Sequence, residues 1–406
     1  MATTAEPQVP DHVPAELVRN IDLILGEEFL KDPYAFMRSM HGKLPRLFYN
    51  TGSPTGGGWM TISHPTAFKA LRDQDHFGVP PLFIFPRDED NWFRMIPLEI
   101  PSPDHRKFRN ILDPMLSPKG VLALEADITR LANDLIDKIV DKGECEFTTD
   151  FARPLPVMVF LSFMGLPVEK LDQFVKWVVA LIQFAEFDRA KEIMAEIETY
   201  LSTVIEEKRA NPDDKAISRI VHATFDGEPM TERDVMGFTF FLFIAGIDTV
   251  YAALNNSWLW MARNPDRVKE LVADPDNRDL QTEELLRAFA PTFSGRYLTE
   301  DLELDGVLMK KGDSFMSFLP ACNYDPEVWD NPREIDFTRV KKPILTFTGG
   351  IHSCMGGHLA RLEFKIGLNE WLRRIPEFSL KPGAEIKYVP SGVVGPESVP
   401  LVWDVA

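Results

Sequence analysis

The sequence predicts a mainly α-helical protein with small β-sheets at its edge, and two patterns support this fold class. Apolar residues recur at helical spacing through 127–139, 171–182 and 193–205, so the middle of the chain is expected to be helical. Short strand-like segments, at 47–49, 59–62 and 302–309, lie beside glycine and proline. No internal repeat or low-complexity linker divides the chain. We therefore expect a single domain over residues 1–406, with residues 1–14 as a flexible N-terminus.

The composition argues against several classes of protein. A formal net charge of −18 makes nucleic acid an unexpected partner, because phosphate binding requires a basic surface. The three cysteines, at positions 145, 322 and 354, lie too far apart for a zinc ribbon or a disulfide scaffold. The first residues lack a basic start followed by an apolar run, and the apolar stretch 238–245 is too short to cross a bilayer. We expect a cytoplasmic monomer without a membrane anchor.

Cys354 lies in the segment that points most strongly to function. It belongs to Phe-Thr-Gly-Gly-Ile-His-Ser-Cys-Met-Gly over residues 347–356, directly before a helical run at 357–372. The backbone N–H groups and the dipole at a helix N-terminus stabilise a thiolate and lower its pKa. Most lone cysteines are instead small buried apolar residues, and position alone leaves that alternative open.

A second segment, 240–260, is apolar almost all round, as expected of a helix through the centre of a large domain. Asp248 and Thr249 interrupt it with a carboxylate and a hydroxyl, and burying an unpaired hydroxyl costs roughly 2–7 kcal/mol. Gly246 weakens the helix and Thr249 can bond a carbonyl one turn back, so we expect a local widening. The alternative is an ordinary back-bonded threonine beside an Asp248 ion pair.

Together these motifs resemble the cytochrome P450 proteins. Residues 347–356 match the pattern F-x-x-G-x-H-x-C-x-G in full, residues 245–249 look like [AG]-G-x-[DE]-T, and residues 284–287 match E-x-x-R between the two. The resemblance runs from about residue 12 to the C-terminus and is closest to the bacterial camphor 5-monooxygenase group. It implies the cytochrome P450 fold, with haem b between the helix that contains Asp248 and the helix that follows Cys354.

The resemblance also implies roles for individual residues. Cys354 is expected to ligate the haem iron, and Asp248 and Thr249 to relay protons to oxygen. The other expected haem contacts are Phe347, Gly350 and Gly356, with His105, Arg109, Arg296 and His352 at the propionates. Glu284 and Arg287 are expected to brace the haem-binding core, although such pairs are in most proteins solvated surface bridges. Dioxygen and two electrons from a two-iron two-sulfur ferredoxin with its reductase complete the implied reaction.

Matching the chain to camphor hydroxylases predicts an apolar substrate pocket. The predicted lining is Ile84, Trp92, Phe93, Phe241, Ile244, Thr292, Phe293 and Val393, with simple core packing as the alternative at each position. Phe93 replaces a tyrosine that donates a hydrogen bond to the camphor ketone, although the adjacent Trp92 N–H could substitute. We therefore expect a compact terpenoid or norisoprenoid substrate, such as a cineole or an ionone. The arginine that the group uses beside the acid is replaced by Gln183 or Phe184. Lys176 is a candidate to take over as the partner of Asp248; the alternative is a different proton path, in which the Asp-Thr pair acts through water.

Three hypotheses of function follow: a ferredoxin-dependent monooxygenase, a non-catalytic haem-thiolate sensor or carrier, and a peroxide-dependent haem enzyme. Asp248 and Thr249 favour the first, because a binder needs no such pair and peroxide users of this superfamily typically lack it. A basic patch on the cysteine side of the haem is expected to attract an acidic ferredoxin. Its predicted members are Arg106, Arg109, Lys341 and Lys342, with solvated, uninvolved lysines as the alternative.

Overall fold

Helices dominate the structure, a computed structural model that describes residues 9–52, 56–80, 93–182 and 189–405. The α-helices of these residues are α1 (Glu27–Lys31), α2 (Pro33–Met40), α3 (His64–Arg72), α4 (His105–Leu116), α5 (Pro118–Leu122), α6 (Glu125–Asp137), α7 (Pro154–Met164), α8 (Leu171–Ile182), α9 (Ala190–Ala210), α10 (Ala216–Val221), α11 (Glu232–Ala245), α12 (Thr249–Arg263), α13 (Pro265–Ala273), α14 (Arg278–Ala288), α15 (Leu319–Cys322) and α16 (Gly357–Arg374). The three segments with helical apolar spacing correspond to α6, α8 and α9, so these predictions are confirmed.

The strands are short and form small sheets, as predicted. They are β1 (Val18–Arg19), β2 (Leu47–Asn50), β3 (Gly58–Thr61), β4 (Phe77–Gly78), β5 (Glu144–Glu146), β6 (Thr224–Phe225), β7 (Glu228–Pro229), β8 (Ser294–Leu298), β9 (Leu302–Leu304), β10 (Val307–Met309), β11 (Ser314–Ser317), β12 (Ser379–Leu380) and β13 (Pro400–Val402). The largest sheet has the order β1-β2-β3-β11-β8-β4 and is mixed, because β1 is parallel to β2 and β3 is parallel to β11 while the other pairs are antiparallel. The order β12-β13-β5 forms a second sheet, and the hairpins β9-β10 and β6-β7 stand apart.

An aromatic cluster joins α12 to α16 at the centre of the helical core. Trp258 of α12 and Trp371 of α16 are fully buried. The ring of Phe147 lies 4.9 Å from Trp258 and 5.0 Å from Trp371, between the two helices. Aromatic pairs of this kind contribute about 0.5–1.5 kcal/mol each beyond the area that they bury. The cluster therefore fixes the C-terminal part of α16 relative to α12.

The long apolar segment forms two helices, α11 and α12, which are separated by residues 246–248. Over Glu232–Arg263 it is the one stretch of the described residues long and apolar enough to span a membrane, and 67% of that window is buried inside the protein. Such burial is typical of a central helix in a folded core. The interruption that Gly246 predicted is confirmed, and it places the polar residues of this segment at a break in the helix.

Candidate active site

A cavity of about 310 Å³ lies between the α11–α12 break and the loop that carries Cys354. On the helical side it is lined by Phe160, Phe163, Phe238, Phe241, Leu242, Ala245, Gly246, Thr249, Val250 and Ala253. On the opposite side it is lined by Phe347, Thr348, His352, Ser353, Cys354, Met355, Gly356, Leu359, Ala360 and Glu363. Apart from the adjacent pair 241 and 242, positions 238, 241, 242, 245, 249 and 253 follow one another at three or four residues, so they form one stripe along the helices. The cavity therefore has a largely apolar wall facing a cysteine.

The Cys354 thiol lines the cavity, so its surface is open to that space although it lies deep inside the protein. Burial raises the pKa of this thiol. A hydrogen bond from the Gly356 backbone and the positive charges of Arg109 and Arg361 act in the opposite direction and favour the thiolate. Cys145 and Cys322 are buried, and neither is among the described residues that line the cavity. Of the three cysteines, Cys354 is thus the one placed to bind a ligand.

The loop ahead of α16 is held in a tight conformation. The Cys354 N–H donates to the Phe347 carbonyl at 3.0 Å. Gly350 has φ +70°, and a Cβ atom there would lie 2.4 Å from the Leu71 carbonyl oxygen, so only glycine fits. The Arg361 guanidinium lies 4.2 Å from the centroid of the Phe347 ring, which it covers. These contacts set the direction in which the sulfur points.

Four nitrogen-bearing side chains gather at one end of the cavity. The His105 and His352 rings are 4.5 Å apart. Burial, followed by the neighbouring His105, Arg296 and Arg109, lowers the pKa of His352 to about 3. Burial and Arg109 lower the pKa of His105 to about 4, and burial lowers the pKa of Arg296 to about 10. Each of these shifts disfavours a positive charge. The nearby carboxylate of Asp113 pairs with Arg109 Nε at 3.0 Å, whereas no carboxylate of the described residues acts on His352 or Arg296.

The unpaired atoms of this cluster match the needs of an anionic ligand. Arg296 Nη1 donates to Ser294 Oγ and to the Gly295 carbonyl, but its buried Nη2 has no partner among the described residues. The buried Nδ1 of His352 likewise has none. Arg109 is partly engaged, since its Nη1 donates to the Ser353 carbonyl at 2.6 Å. Carboxylates that reach these donors would satisfy them, and the two propionates of haem supply such carboxylates.

The cysteine and the cavity also fit haem better than an isolated metal ion. Among the described residues, no group of three or more His, Cys, Asp or Glu side chains is arranged to hold a metal ion. A lone thiolate therefore requires a cofactor that brings the other ligands of the metal, as a porphyrin does. Gly356 lines the cavity without a side chain, and a Cβ atom there would lie 4.0 Å from Cys354 Sγ. The predicted haem contacts Phe347, Gly356, His105, Arg109, His352 and Cys354 all line the cavity, whereas Gly350 and Arg296 lie behind it.

The helix break has a specific cause in the packing. A Cβ atom on Gly246 would lie 2.3 Å from Cζ of Phe160, a residue of α7, so the ring occupies the space that a side chain would need. Thr249 Oγ1 donates to the Ala245 carbonyl at 3.4 Å, which is the bond one turn back that the sequence predicted. The Thr249 side chain faces the cavity opposite Cys354.

Asp248 is buried beside the break, and its partners differ from the predicted one. A hydrogen bond from Tyr251 and the charge of Arg153 act on its carboxyl group. Burial nevertheless raises its pKa from 3.8 to about 6. Lys176 is exposed on α8, so its prediction as the partner of Asp248 was wrong. The two positions that were weighed as replacements for the arginine, Gln183 and Phe184, lie outside the described residues.

Glu284 and Arg287 form a buried pair, so the solvated-bridge alternative is wrong. Their side chains are 4% and 1% exposed. Arg287 Nε and Nη2 donate to the two Glu284 oxygens at 2.8 and 2.7 Å. Arg287 also donates to the carbonyls of three residues in the 323–334 segment. Arg339, which sequence reasoning missed, donates to Glu284 at 3.1 Å.

The predicted substrate lining is only partly present. Phe241 and Thr292 line the cavity, whereas Phe93, Ile244, Phe293 and Val393 are not among its described lining residues. Ile244 is buried on another face of α11, and Phe93 packs with its ring 5.2 Å from Phe240. Phe293 packs with its ring 5.1 Å from Phe318, and the Val393 N–H donates to Ser391 Oγ at 3.2 Å, in a loop that adjoins Pro291. Ile84 and Trp92 lie outside the described residues. Sequence reasoning missed the wall formed by Phe160, Phe163 and Phe238.

The basic residues predicted around the cysteine have mixed environments. Arg106 is exposed on α4, one turn from Arg109. Lys341 and Lys342 are exposed, but they lie beside the Glu284–Arg287 pair, and the Lys342 ammonium donates to the Val328 carbonyl. Arg72 was not predicted. It adjoins the cysteine loop, because its Cα lies 3.1 Å from the position of a Cβ on Gly350.

Comparison with known proteins identifies the family that shares this arrangement. The sequence profile described as Cytochrome P450 matches residues 161–277 and 282–398. The probable cytochrome P450 127A1 of Sinorhizobium fredii is 33% identical over 402 residues, covering 97% of each chain. The steroid C26-monooxygenase of Mycobacterium tuberculosis is 30% identical over 316 residues, which cover 75% of this chain and 85% of that one.

Solved structures agree with the sequence comparison. The structure of CYP101J2 superposes with a TM-score of 0.85 at 30% identity, covering 98% of this chain and all of that one (100%). The structure of P450BioI with an acyl carrier protein that bears hexadec-9Z-enoic acid gives a TM-score of 0.83 at 27% identity, covering 93% and 100% of the two chains. The mainly helical architecture with small sheets is therefore that of the cytochrome P450 fold.

Proposed function

Because this chain belongs to the cytochrome P450 family and is a monooxygenase, we propose that it hydroxylates a compact apolar terpenoid or norisoprenoid with electrons from a two-iron two-sulfur ferredoxin. Members of the family bind haem b and use dioxygen together with redox partners. The observation that carries the proposal is the largely apolar cavity wall that faces the Cys354 thiol. Such a wall offers contact area and few hydrogen bonds to a substrate.

The residues around the cavity support the following assignment of haem contacts. Cys354 Sγ would hold the iron, and the Gly356 N–H would stabilise the sulfur charge. His105, Arg109, Arg296 and His352 would hold the propionates, two of them through Arg296 Nη2 and His352 Nδ1, which have no partner among the described residues. When bound, haem supplies the activation of dioxygen and the oxidation of a C–H bond.

Thr249 and Asp248 would manage the protons that the reaction consumes. The Thr249 hydroxyl faces the cavity, while Asp248 lies behind it at the helix break. A carboxyl group with a pKa of about 6 changes protonation state close to neutral pH, which suits a general acid. Thr249→Ala should therefore lower the yield of product per electron consumed, and Thr249→Ser should retain most of it. An unchanged yield in Thr249→Ala would place the proton relay elsewhere.

The proposed substrate class follows from the cavity wall. Phe160, Phe163, Phe238 and Phe241 provide aromatic contacts, and Thr292 is one of the few polar side chains near them. The structural likeness to CYP101J2 and CYP101C1 supports the camphor-type group of the family. No tyrosine is among the described residues that line the cavity, which argues against camphor itself, because a buried ketone that finds no donor loses a hydrogen bond worth about 0.5–1.5 kcal/mol.

A spectral titration of the ferric holoenzyme tests the substrate class. We expect 1,8-cineole or β-ionone to produce a larger low-spin to high-spin change than camphor. The oxygen of cineole is an ether without a carbonyl, and the carbonyl of β-ionone lies at the end of a side chain, so the ring of either molecule can contact the apolar wall without burying a ketone there. A second titration should include a hexadecenoic acid, since a relative has been solved with that chain on its carrier protein. A larger response to camphor or to the fatty acid would contradict the proposal.

A ferredoxin is the proposed electron donor because cations surround the cysteine loop of an acidic protein. Arg72, Arg109 and Arg361 adjoin this loop in a chain of net charge −18. A basic patch on an otherwise acidic protein attracts an acidic partner and raises its rate of association. Arg72→Glu should slow reduction by a ferredoxin at low salt while leaving reduction by dithionite unchanged. Equal rates with ferredoxin for both proteins would contradict the proposed docking side. We also propose a cytoplasmic monomer.

A further inference from the structure

We propose that Tyr251, supported by Arg153, is a positioning residue that holds the Asp248 carboxylate for proton transfer to Thr249. The inference rests on the proposed role of Asp248 and Thr249 and goes beyond it, because it names the groups that set the state of the acid. Neither Tyr251 nor Arg153 is among the described residues that line the cavity. They act through Asp248 and touch no reacting atom.

Tyr251 is placed to reach Asp248 by helix geometry. It follows Asp248 by three residues at the start of α12, so the two side chains lie on one face of the helix. Tyr251 is 8% exposed and Asp248 5% exposed, which keeps water away from both. The phenol lies close enough to the carboxyl group to act on it as a hydrogen-bond donor, which lowers the pKa of Asp248. In such surroundings a hydrogen bond to a charged group is worth about 1.5–3 kcal/mol.

Arg153 approaches the same pair from a different element. It immediately precedes α7, and its guanidinium carbon lies 5.3 Å from the centroid of the Tyr251 ring. Its positive charge lowers the pKa of the Tyr251 phenol, and it also acts on the pKa of Asp248. The three side chains therefore lie in sequence, with Arg153 beside Tyr251 and Tyr251 beside Asp248.

Helix α7 also contacts the break between α11 and α12 directly. Phe160 follows Arg153 by seven residues, two helical turns, and its ring fills the space beside Gly246. One face of α7 thus presents an aromatic ring to the glycine and a guanidinium to the Tyr251–Asp248 pair. The break, the acid and its hydrogen-bonding partners are held by the same element. A shift of α7 would change all three together.

The chemical consequence concerns the protonation state of Asp248. Burial raises the pKa of this carboxyl, while the Tyr251 hydrogen bond and the Arg153 charge lower it. These are the titratable groups of the described residues that act most strongly on the acid, from its own helix and from the start of α7. Without them the pKa of the acid would lie higher still, so a larger fraction of it would be protonated at neutral pH. With them the pKa stays closer to neutral pH, where the acid can both give up and accept a proton.

The test is an infrared titration of the ferric holoenzyme. The carboxylic acid C=O band of Asp248 is identified as the band that is absent in Asp248→Asn, and its intensity is followed against pH. In Tyr251→Phe the midpoint should rise by about one unit or more, since the lost hydrogen bond is worth at least that much. Arg153→Met, which keeps the length of the side chain without its charge, should move the midpoint in the same direction. Product formed per electron should fall in both variants.

Tyr388→Phe is the matched control. Tyr388 is another buried tyrosine whose hydroxyl donates to α12, to Asn256 Oδ1 at 3.1 Å, and no described contact joins it to Asp248. It should leave the Asp248 midpoint unchanged. An unchanged midpoint in both Tyr251→Phe and Arg153→Met would overturn the inference. If instead Asp248→Asn itself leaves the product yield unchanged, the proposed relay fails, while the titration still reports whether Tyr251 and Arg153 hold the acid.

Discussion

Replacing Arg287 by methionine tests how strongly the buried Glu284–Arg287 pair stabilises the haem-binding core. Methionine keeps much of the side-chain volume and removes the charge and all five hydrogen bonds. Two of these bonds reach Glu284, and three reach the backbone carbonyls of Asn323, Pro332 and Glu334. Removing one partner of a buried ion pair costs about 3–5 kcal/mol.

The size of this cost is limited by the contacts that remain. Glu284 keeps the Arg339 guanidinium and the Asp336 N–H, at 3.1 and 2.9 Å, so its charge is not left without a partner. The three carbonyls lose their donors in an interior where Arg287 is 1% exposed. The contacts that Glu284 keeps reduce the cost and the three unpaired carbonyls increase it, so we expect the free energy of unfolding to fall by about 3–5 kcal/mol.

The assay is thermal unfolding of the haem-loaded protein followed by circular dichroism at one fixed scan rate. An unfolding entropy of about 2.1 cal/mol/K per residue, over 406 residues, converts this loss into a Tm decrease of roughly 4–6 °C. Arg339→Met is the matched variant, because Arg339 bonds the same carboxylate from a more exposed position, and it should lower Tm by less. A Tm within about 1 °C of the parent for Arg287→Met, or a larger decrease in Arg339→Met, would refute the reasoning.

Two further predictions follow from the packing at the site. Gly246→Ala should destabilise the protein by about 1–3 kcal/mol, because its Cβ would lie 2.3 Å from the Phe160 ring. Adding Phe160→Leu should recover part of that loss in the same thermal assay. No recovery would show that the glycine is needed for another reason. Arg296→Leu should release haem faster to an excess of apomyoglobin, because Arg296 Nη2 is a buried donor reserved for an anion. An unchanged release rate would exclude Arg296 as a propionate contact.

The cysteine loop could be anticipated from the sequence because its information is local. The positive φ of Gly350 and the position of Cys354 directly before α16 are encoded within one ten-residue segment, although the Leu71 carbonyl that also requires the glycine lies on α3. The break at Gly246 could also be predicted, because glycine, Asp248 and Thr249 are all unfavourable in the interior of an apolar helix. What the sequence left hidden was the reason for the glycine, because Phe160 is separated from it by more than eighty residues.

The partners of the buried charges at the site were the hardest feature to predict from the sequence. Tyr251 lies three residues after Asp248 and helical spacing could have found it, but Arg153 precedes the acid by ninety-five positions. Lys176 was chosen by matching to other proteins, and that matching carried no information on which face of α8 the lysine occupies. Arg339 was missed for the same reason, since only the folded chain brings it to Glu284.

The substrate wall shows where helical spacing outperforms residue matching. Phe238, Phe241 and Ala245 lie along one stripe of α11, whereas Ile244 falls outside that stripe and is buried in the core. The periodicity of α11 therefore separates Phe241, which lines the cavity, from Ile244, which does not. Phe293 and Val393 lie in irregular segments, where no period exists to apply.

The most direct test of the central claim is the carbon-monoxide difference spectrum of the reduced protein, measured for the parent, Cys354→Ala and Cys145→Ala. We expect the band at the wavelength that gives the family its name in the parent and in Cys145→Ala, whose thiol is buried away from the cavity. Cys354→Ala should lose that band even in preparations that still contain haem. A band of undiminished intensity in Cys354→Ala would contradict the assignment of Cys354 as the iron ligand.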